Sequence, residues 1–409
     1  MSKHILFLTS QLPYPPHAGG ALRSFGQIEA LAARGHRVGL LSLLAEDQPD
    51  PADTPLAALC DPLATVPAPP PRPNSRRLRD LASGAADMAR RAWAPAYAAS
   101  LQAMLAAHRF DVIQFESIEM AAYLPMVREV LAKQGAATGL VYDAFNAEYD
   151  LQARIARQDW QTPRRWPLAL YSSIQAARLR RFEGEVSRTV DRVVACSAAD
   201  AVKLAALGPQ APVAVVPNAI RTADYDPGTP PAGIPHPALV YTGKMDFRPN
   251  VDAVEWFAQD VLPLIRAEQP AAHFVAAGKD PHPRLDALRS SPGVTLTGFV
   301  PAIQPYLTAA DVFVVPLRMG SGTRLKLLEA MAMGCAVVST PLGAEGLDAV
   351  PGKHLLLADT AEAFAGAVLS LLADPARRRA LGAAAASLAR AKYDWQTVIP
   401  LLEAAYEAR

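Results

Sequence analysis

Short apolar runs, each followed by a longer stretch in which apolar residues return every three or four positions, recur along most of the chain. His4 to Thr9 reads as a buried parallel strand, residues 20 to 34 as an amphipathic helix closing at Gly35, and Arg37 to Leu43 as the next strand. That is a βαβ opening. Further strand-like runs at Asp111 to Phe115, Gly139 to Tyr142 and Arg192 to Cys196 alternate with helix-like stretches rich in Ala, Leu and Arg. A second series has strands at Ala238 to Thr242, Ala272 to Ala277, Val294 to Thr297, Asp311 to Val315 and Ala336 to Ser339. Between the two lies Pro227-Gly228-Thr229-Pro230-Pro231-Ala232-Gly233-Ile234-Pro235, which has the composition of a linker. The pattern predicts an α/β chain with two consecutive doubly wound domains, whose ligands belong at the carboxyl ends of the strands.

Composition agrees and narrows the function. A chain of 409 residues exceeds the roughly 100 to 200 of a single ordinary domain. Lys plus Arg (40) nearly cancels Asp plus Glu (39), which gives no electrostatic reason to expect nucleic acid. Cys60, Cys196 and Cys335 are scattered and lack metal or disulfide spacing, so a reducing cytosol is expected and no metal. The apolar stretch Ile5 to Leu8 is too short for a signal peptide, and no later run approaches about 18 apolar residues. The expectation is a cytoplasmic protein, soluble or at most peripheral to the inner face of the membrane. Gln48 to Asn74, with Pro69-Pro70-Pro71, reads as loop rather than core strand or helix. Arg76, Arg77, Arg79, Arg90 and Arg91, then Arg164-Arg165-Trp166 and Arg178, Arg180 and Arg181, form either a solvated helix face or a contact surface for anionic lipid.

The strongest chemical signal follows the strand at Asp311 to Val315. In Gly320-Ser321-Gly322-Thr323-Arg324-Leu325-Lys326, the glycines permit close backbone approach to a ligand, and Ser321 or Thr323 is placed to cap the next helix. Arg324 and Lys326 put positive charge in a first helical turn, where the macrodipole disfavours it unless an anion is near. A diphosphate resolves that conflict. The alternative is a Lys326 to Glu329 pair at i,i+3 with Arg324 in solvent. Glu329, farther along, is a candidate for ribose hydroxyls. A second cluster, Thr242-Gly243-Lys244-Met245-Asp246-Phe247-Arg248-Pro249-Asn250, ends a strand and opens the helix expected at Val251 to Ala267. Lys244 and Arg248 are candidates to face a ligand, and Asn250 reads as the N-cap.

The order of Gly19-Gly20, Val216-Pro217-Asn218-Ala219, Thr242-Gly243-Lys244, Gly278-Lys279, Val315-Pro316-Leu317 and Leu328-Glu329-Ala330-Met331-Ala332-Met333-Gly334 resembles glycosyltransferase family 4 over nearly the whole chain. These are retaining enzymes of the GT-B fold, and the pattern is closest to sugar transferases of bacterial exopolysaccharide and protein-sorting loci. The resemblance implies two Rossmann-like domains facing a central cleft: 1–218 on the acceptor side, a linker 219–236, and 237–392 for the donor, with a final helix 393–409 returning to the first domain. In the family two glutamates frame the donor loop; Glu329 matches the second, and Ser321 stands at the first. Of the basic pair that grips diphosphate, Lys244 matches one member and Pro249 falls on the other, leaving Arg248, Arg324 or Lys326 as substitutes. The family's histidine near the reacting sugar corresponds to Phe145 in Tyr142-Asp143-Ala144-Phe145-Asn146-Ala147-Glu148; Asp143, Asn146 and Glu148 are its candidate replacements, or caps of the next helix. Gly19 and Gly20 match a glycine loop near donor phosphate and acceptor, with Arg23 a candidate acceptor or phosphate contact.

The implied reaction passes a sugar from a nucleotide sugar to a glycan or lipid-linked acceptor, without cofactor or metal. Charge growing on the departing diphosphate is stabilised by Lys244, Arg248, the helix N-terminus at Thr323 and its basic residues Arg324 and Lys326, a contribution of several kcal/mol in a water-poor site. Asp224-Tyr225-Asp226, the one Asp-x-Asp, precedes the Pro-rich linker and reads as loop. The rivals are a nucleotide-sugar epimerase of the same fold and a non-catalytic binding module. A nicotinamide dehydrogenase is disfavoured because Thr9-Ser10-Gln11-Leu12-Pro13-Tyr14 replaces the expected glycine turn.

Overall fold

The computed structural model describes residues 2–16, 19–70, 72, 84–320 and 322–407. Ser321, Arg76, Arg77 and Arg79 of the sequence reading lie outside them. The chain forms two compact units, Met1–Asn218 with Val398–Arg409, and Ala219–Thr397.

The first unit is built on seven parallel strands: β1 (His4–Thr9), β2 (Arg37–Leu44), β3 (Cys60–Pro67), β4 (Val112–Glu116), β5 (Gly139–Ala144), β6 (Arg192–Ala195) and β7 (Ala214–Val215), in the order β3-β2-β1-β4-β5-β6-β7. The register is set by the apolar runs themselves. Ile5 sits between Val38 of β2 and Val112 of β4, and Ile5, Leu6, Phe7 and Leu8 are all fully buried. A strand covered by helices on both faces has no reason to alternate, which is why it reads as a continuous apolar run. The helix expected at 20 to 34 spans Gly19–Ala33, and Gly35 takes the left-handed conformation (φ 85°) that ends it.

The loop expected from Gln48 to Asn74 is corrected. It contains β3, at the sheet's edge, where Pro62 and Pro67 are tolerated because one side of the strand makes no ladder.

The second unit holds six parallel strands, β8 (Ala238–Thr242), β9 (His273–Ala277), β10 (Val294–Leu296), β11 (Val312–Val315), β12 (Val337–Ser339) and β13 (Leu356–Leu357), in the order β10-β9-β8-β11-β12-β13. The helix expected from Val251 starts earlier, at Arg248, and continues through a π-helical turn at Phe257–Val261 to Glu268. The stretch read as linker is woven into this unit. Ala232 N donates to Pro305 O at 2.9 Å, and Ile220 pairs with Asp394. From Val398 onward the last helix, Trp395–Glu407, belongs to the first unit: Arg34 Nε donates to Glu403 at 2.7 Å, and the buried Tyr406 hydroxyl donates to Gln114 Oε1.

Candidate functional site

Strand order reverses direction at one point in each sheet, between β8 and β11 in the second unit and between β1 and β4 in the first. The crevice beyond the carboxyl ends at such a point is where open α/β sheets take ligands.

In the second unit β8 delivers Gly243 and β11 leads into the 317–324 loop. Gly243 has φ 156°, and a Cβ there would stand 2.6 Å from Lys326 Nζ; one on Gly278 would fall 1.7 Å from Gly243 O. The two glycines let the loops after β8 and β9 touch backbone to backbone. Gly320 (φ 113°) and Gly322 (φ 77°) turn the next loop into the helix Leu325–Ala332. Its N-cap is Arg324, whose side chain makes no capping bond, and the Thr323 hydroxyl makes none among the described residues, so the role expected of Thr323 is corrected. The Thr323 hydroxyl is buried beside this open end and has no hydrogen-bond partner among the described residues.

Lys326 does not pair with Glu329. Its ammonium donates to the Tyr241 hydroxyl (2.7 Å) and to Asn250 Oδ1 (2.9 Å), and lies 4.0 Å from the Tyr241 ring centroid. Desolvation, helped by the neighbouring charge of Arg324, pushes Lys326 down to about 7. Asn250 is not the N-cap; Phe247 holds that position, and Asn250 is buried in the helix, accepting from Tyr241 and donating to Lys244 O. Glu329 Oε1 accepts from the Tyr225 hydroxyl at 2.9 Å, while burial raises its carboxyl above the usual range. Lys244 is exposed and paired with Asp246 (2.9 Å), and Arg248 is exposed at the start of its helix. Asp224 pairs with Arg221, and Asp226 accepts from Gly228 N. Among the described residues no cluster of three or more His, Cys, Asp or Glu is placed to hold a metal.

In the first unit the candidates separate. Arg23, 1% exposed, gives Nε and Nη2 to the two oxygens of Asp143 (2.9 and 2.7 Å) and Nη1 to Val216 O, Pro217 O and Asn218 Oδ1. A guanidinium so engaged ties the helix Gly19–Ala33 to β5 and to the Val216-Pro217-Asn218 turn, out of a ligand's reach. Asp143, fully buried, also accepts from Gln27 (2.8 Å). Both are wall rather than contact. Asn146 donates to Glu148 (3.0 Å), and neither caps the helix Glu148–Trp160. Its first N–H groups, those of Glu148 and Tyr149, donate instead to Glu183, a buried carboxylate pushed up to about 8 by desolvation.

Gly20 packs against Phe145, where an added Cβ would come within 2.9 Å of the ring. Beside them a pocket of about 20 Å³ is lined by Thr9, Gly20, Ser24, Glu116 and Phe145, room for about one water-sized group. Glu116 ends β4 at 1% exposure, accepting from Ser24 (2.7 Å) and Gln114. Burial, and next the charge of Asp143, push it up to about 8. The Thr9 hydroxyl is buried there without a partner among the described residues.

Residues 18–219 match the family described as glycosyl transferase 4-like domain, and residues 236–374 match glycosyl transferases group 1. Both matches are to glycosyltransferase families, and together they span most of the chain. Sucrose-phosphate synthase of Thermosynechococcus elongatus shares the architecture at a TM-score of 0.72 and 20% identity, over 99% of this chain and 98% of that one. HepE of Anabaena, solved in complex with UDP, matches at 0.65 and 15% over the whole of both chains. The catalytic domain of starch synthase IV of Arabidopsis thaliana, bound to ADP and acarbose, matches at 0.66 and 13% over 100% and 99%. At these identities the likeness establishes the GT-B fold. An uncharacterized 44.6 kDa protein in the cps region of Klebsiella pneumoniae is 23% identical over 168 residues, 39% of this chain and 43% of that relative's length.

Three residues of this glycosyltransferase's sites escaped the sequence reading: Tyr225, Tyr241 and Glu116. Glu116 left a signal, a carboxylate at the end of an apolar run, where burial on both faces is expected. Tyr225 sits inside the segment read as loop, and nothing local marks its bond to Glu329. No helix among the described residues is long and apolar enough to cross a membrane.

Proposed function

We propose that the chain transfers a sugar from a nucleotide-sugar donor to a glycan or lipid-linked acceptor, with retention of anomeric configuration and without metal, in bacterial polysaccharide assembly. The reading rests foremost on one observation: the helix Leu325–Ala332 opens at the sheet's switch point with no capping bond from Arg324, beside Thr323, whose buried hydroxyl has no partner among the described residues. Unpaired N–H groups and the positive end of the macrodipole suit a diphosphate. Lys326 adds a cation whose charge burial makes costly, and an anion would restore it. Glu329, held by Tyr225, supplies the acceptor for ribose hydroxyls, and Lys244 and Arg248 add exposed positive charge. HepE in complex with UDP-glucose and starch synthase IV with ADP and acarbose support the donor and acceptor classes by analogy.

In this mechanism the protein's work is electrostatic. Leaving diphosphate and incoming hydroxyl share one face of the sugar, the C–O bond to phosphate breaks, and the departing phosphate oxygen takes the hydroxyl's proton. Preorganised donors at the helix start lower the barrier by several kcal/mol.

The test is release of nucleoside diphosphate from a panel of nucleotide sugars, with and without a lipid-linked oligosaccharide extract and with EDTA throughout. Acceptor-dependent release and a product of unchanged anomeric configuration by NMR are expected. No acceptor-dependent release from any donor refutes the transferase reading, and a rearranged nucleotide sugar formed without acceptor favours an epimerase.

A further inference from the structure

Between β5 and β6 the first unit raises a helical hairpin: the helix Glu148–Trp160, a short turn at Pro163–Arg165 and the helix Trp166–Thr189, the two helices packed against each other. Its tip is unlike a surface that meets only water. Trp160, Trp166, Leu168 and Leu170 each keep 44% to 60% of their area exposed, and of residues 160–170 Ala169 alone is buried. Single exposed apolar residues are ordinary, but four large ones gathered at one end of a hairpin mark a contact surface.

The patch also has a shape. Trp166 and Leu170 share one side of their helix at i,i+4, whereas Leu168 lies across from both. Apolar groups therefore surround the tip instead of lining one face, which suits insertion end-on into a lipid surface better than a protein's groove. Both indole N–H groups are already satisfied: Trp160 Nε1 donates to Ser173 Oγ at 3.1 Å and Trp166 Nε1 to Trp160 O at 3.2 Å, with the ring centroids 6.4 Å apart. Rings held in this way enter an apolar phase without an unpaired donor and without first being ordered.

Charge selects the occupant. From Leu151 to Leu170 the charged residues are Arg154, Arg157, Arg164, Arg165 and one acid, Asp159, which is buried and paired with Arg165 at 3.1 Å. Arg157 and Arg164 are exposed. A second copy docking tip to tip would set these arginines against themselves, because a two-fold contact pairs each patch with its own image. An anionic lipid surface meets them with opposite charge.

We infer that the tip of this hairpin, residues 157–170, docks on an anionic membrane surface, with Trp160, Trp166, Leu168 and Leu170 at the boundary of the acyl chains and Arg157 and Arg164 among the headgroups. The inference stands apart from the transferase reading and does not depend on it.

Vesicle flotation of the intact protein tests it. The protein is expected to float with phosphatidylglycerol vesicles at low salt and to partition at least tenfold less onto phosphatidylcholine. Leu168→Ser with Leu170→Ser removes side chains that are mostly exposed, so the thermal midpoint stays in place while partition onto phosphatidylglycerol falls at least tenfold. Arg157→Ser with Arg164→Ser weakens partition onto phosphatidylglycerol and leaves that onto phosphatidylcholine unchanged. Brominated phosphatidylglycerol reports position: Trp160→Phe with Trp166→Phe still floats but loses the quenching of tryptophan fluorescence, since Trp93, Trp256 and Trp395 belong to other parts of the fold. Absent flotation, equal partition of the leucine variant, or undiminished quenching in the tryptophan variant overturns the inference. Equal partition of the parent onto the two lipids overturns the role of the arginines. A dimer in sedimentation without lipid that the leucine variant abolishes makes the tip a self-contact and overturns the membrane reading.

Discussion

Lys326 is the residue at which burial and charge conflict most plainly. Its folded value of about 7 lies below its ordinary 10.5, so between those limits the unfolded chain holds the extra proton. Its contribution to stability therefore grows as pH rises through that window and is lost below it. A bound diphosphate raises the value again, so above pH 7 nucleoside diphosphate binding takes up a proton. Calorimetry in two buffers of different ionisation enthalpy measures that uptake; the same uptake in Lys326→Met places the diphosphate elsewhere. Glu116 behaves in the opposite sense. Its folded value of about 8 exceeds the ordinary 4.5, so the folded state keeps a proton that the unfolded chain releases. Stability from this group is present below pH 4.5 and disappears as pH rises to 8. Urea denaturation should show a shallower loss between pH 5 and 8 in Glu116→Gln than in the parent, with Glu183 accounting for part of the slope that remains. Asp143→Asn leaves Arg23 buried opposite a neutral amide, and a cost of about 3 kcal/mol in unfolding free energy is expected. Lost activity with unchanged stability would instead make Asp143 a reacting group. That distinction was invisible in the sequence. A carboxylate after a strand looks the same whether it meets solvent or an arginine on another element.

At the scale of elements, legibility followed burial. β1 and β8 were read to the residue because both faces are covered and their interior positions are apolar. β3 was missed because an edge strand tolerates prolines that a central strand excludes, and β7 and β13 because two residues carry no pattern. The 317–324 loop and its helix were legible as a misplaced cluster of positive charge, but not its resolution through Tyr241 and Asn250, which arrive from β8 and the helix after it. The contact of Gly278 with Gly243 belongs to this scale too. Gly278→Ala forces a Cβ into a carbonyl oxygen, and separating the loops after β8 and β9 should cost more than about 2 kcal/mol. Chemical denaturation checks the cost; a change within 0.5 kcal/mol, about what an unconstrained surface site shows, would mean the loops separate freely.

For the whole molecule, two units with separate cores predict separable responses to ligand. A nucleoside diphosphate that binds only the 219–397 unit should raise that unit's calorimetric transition by mass action and leave the other in place. If both transitions shift equally, the ligand is not held by that unit alone. The last helix carries a further consequence. Because residues 398–409 belong with 1–218, the chain passes between the units twice, and the second unit is, in genetic terms, an insertion within the first. A protease cut at the Asn218–Ala219 junction therefore severs one covalent tie and leaves the other. The 219–397 segment is available as one uninterrupted open reading frame, whereas its companion is encoded in two pieces and needs Asn218 joined to Val398 before it can be made alone.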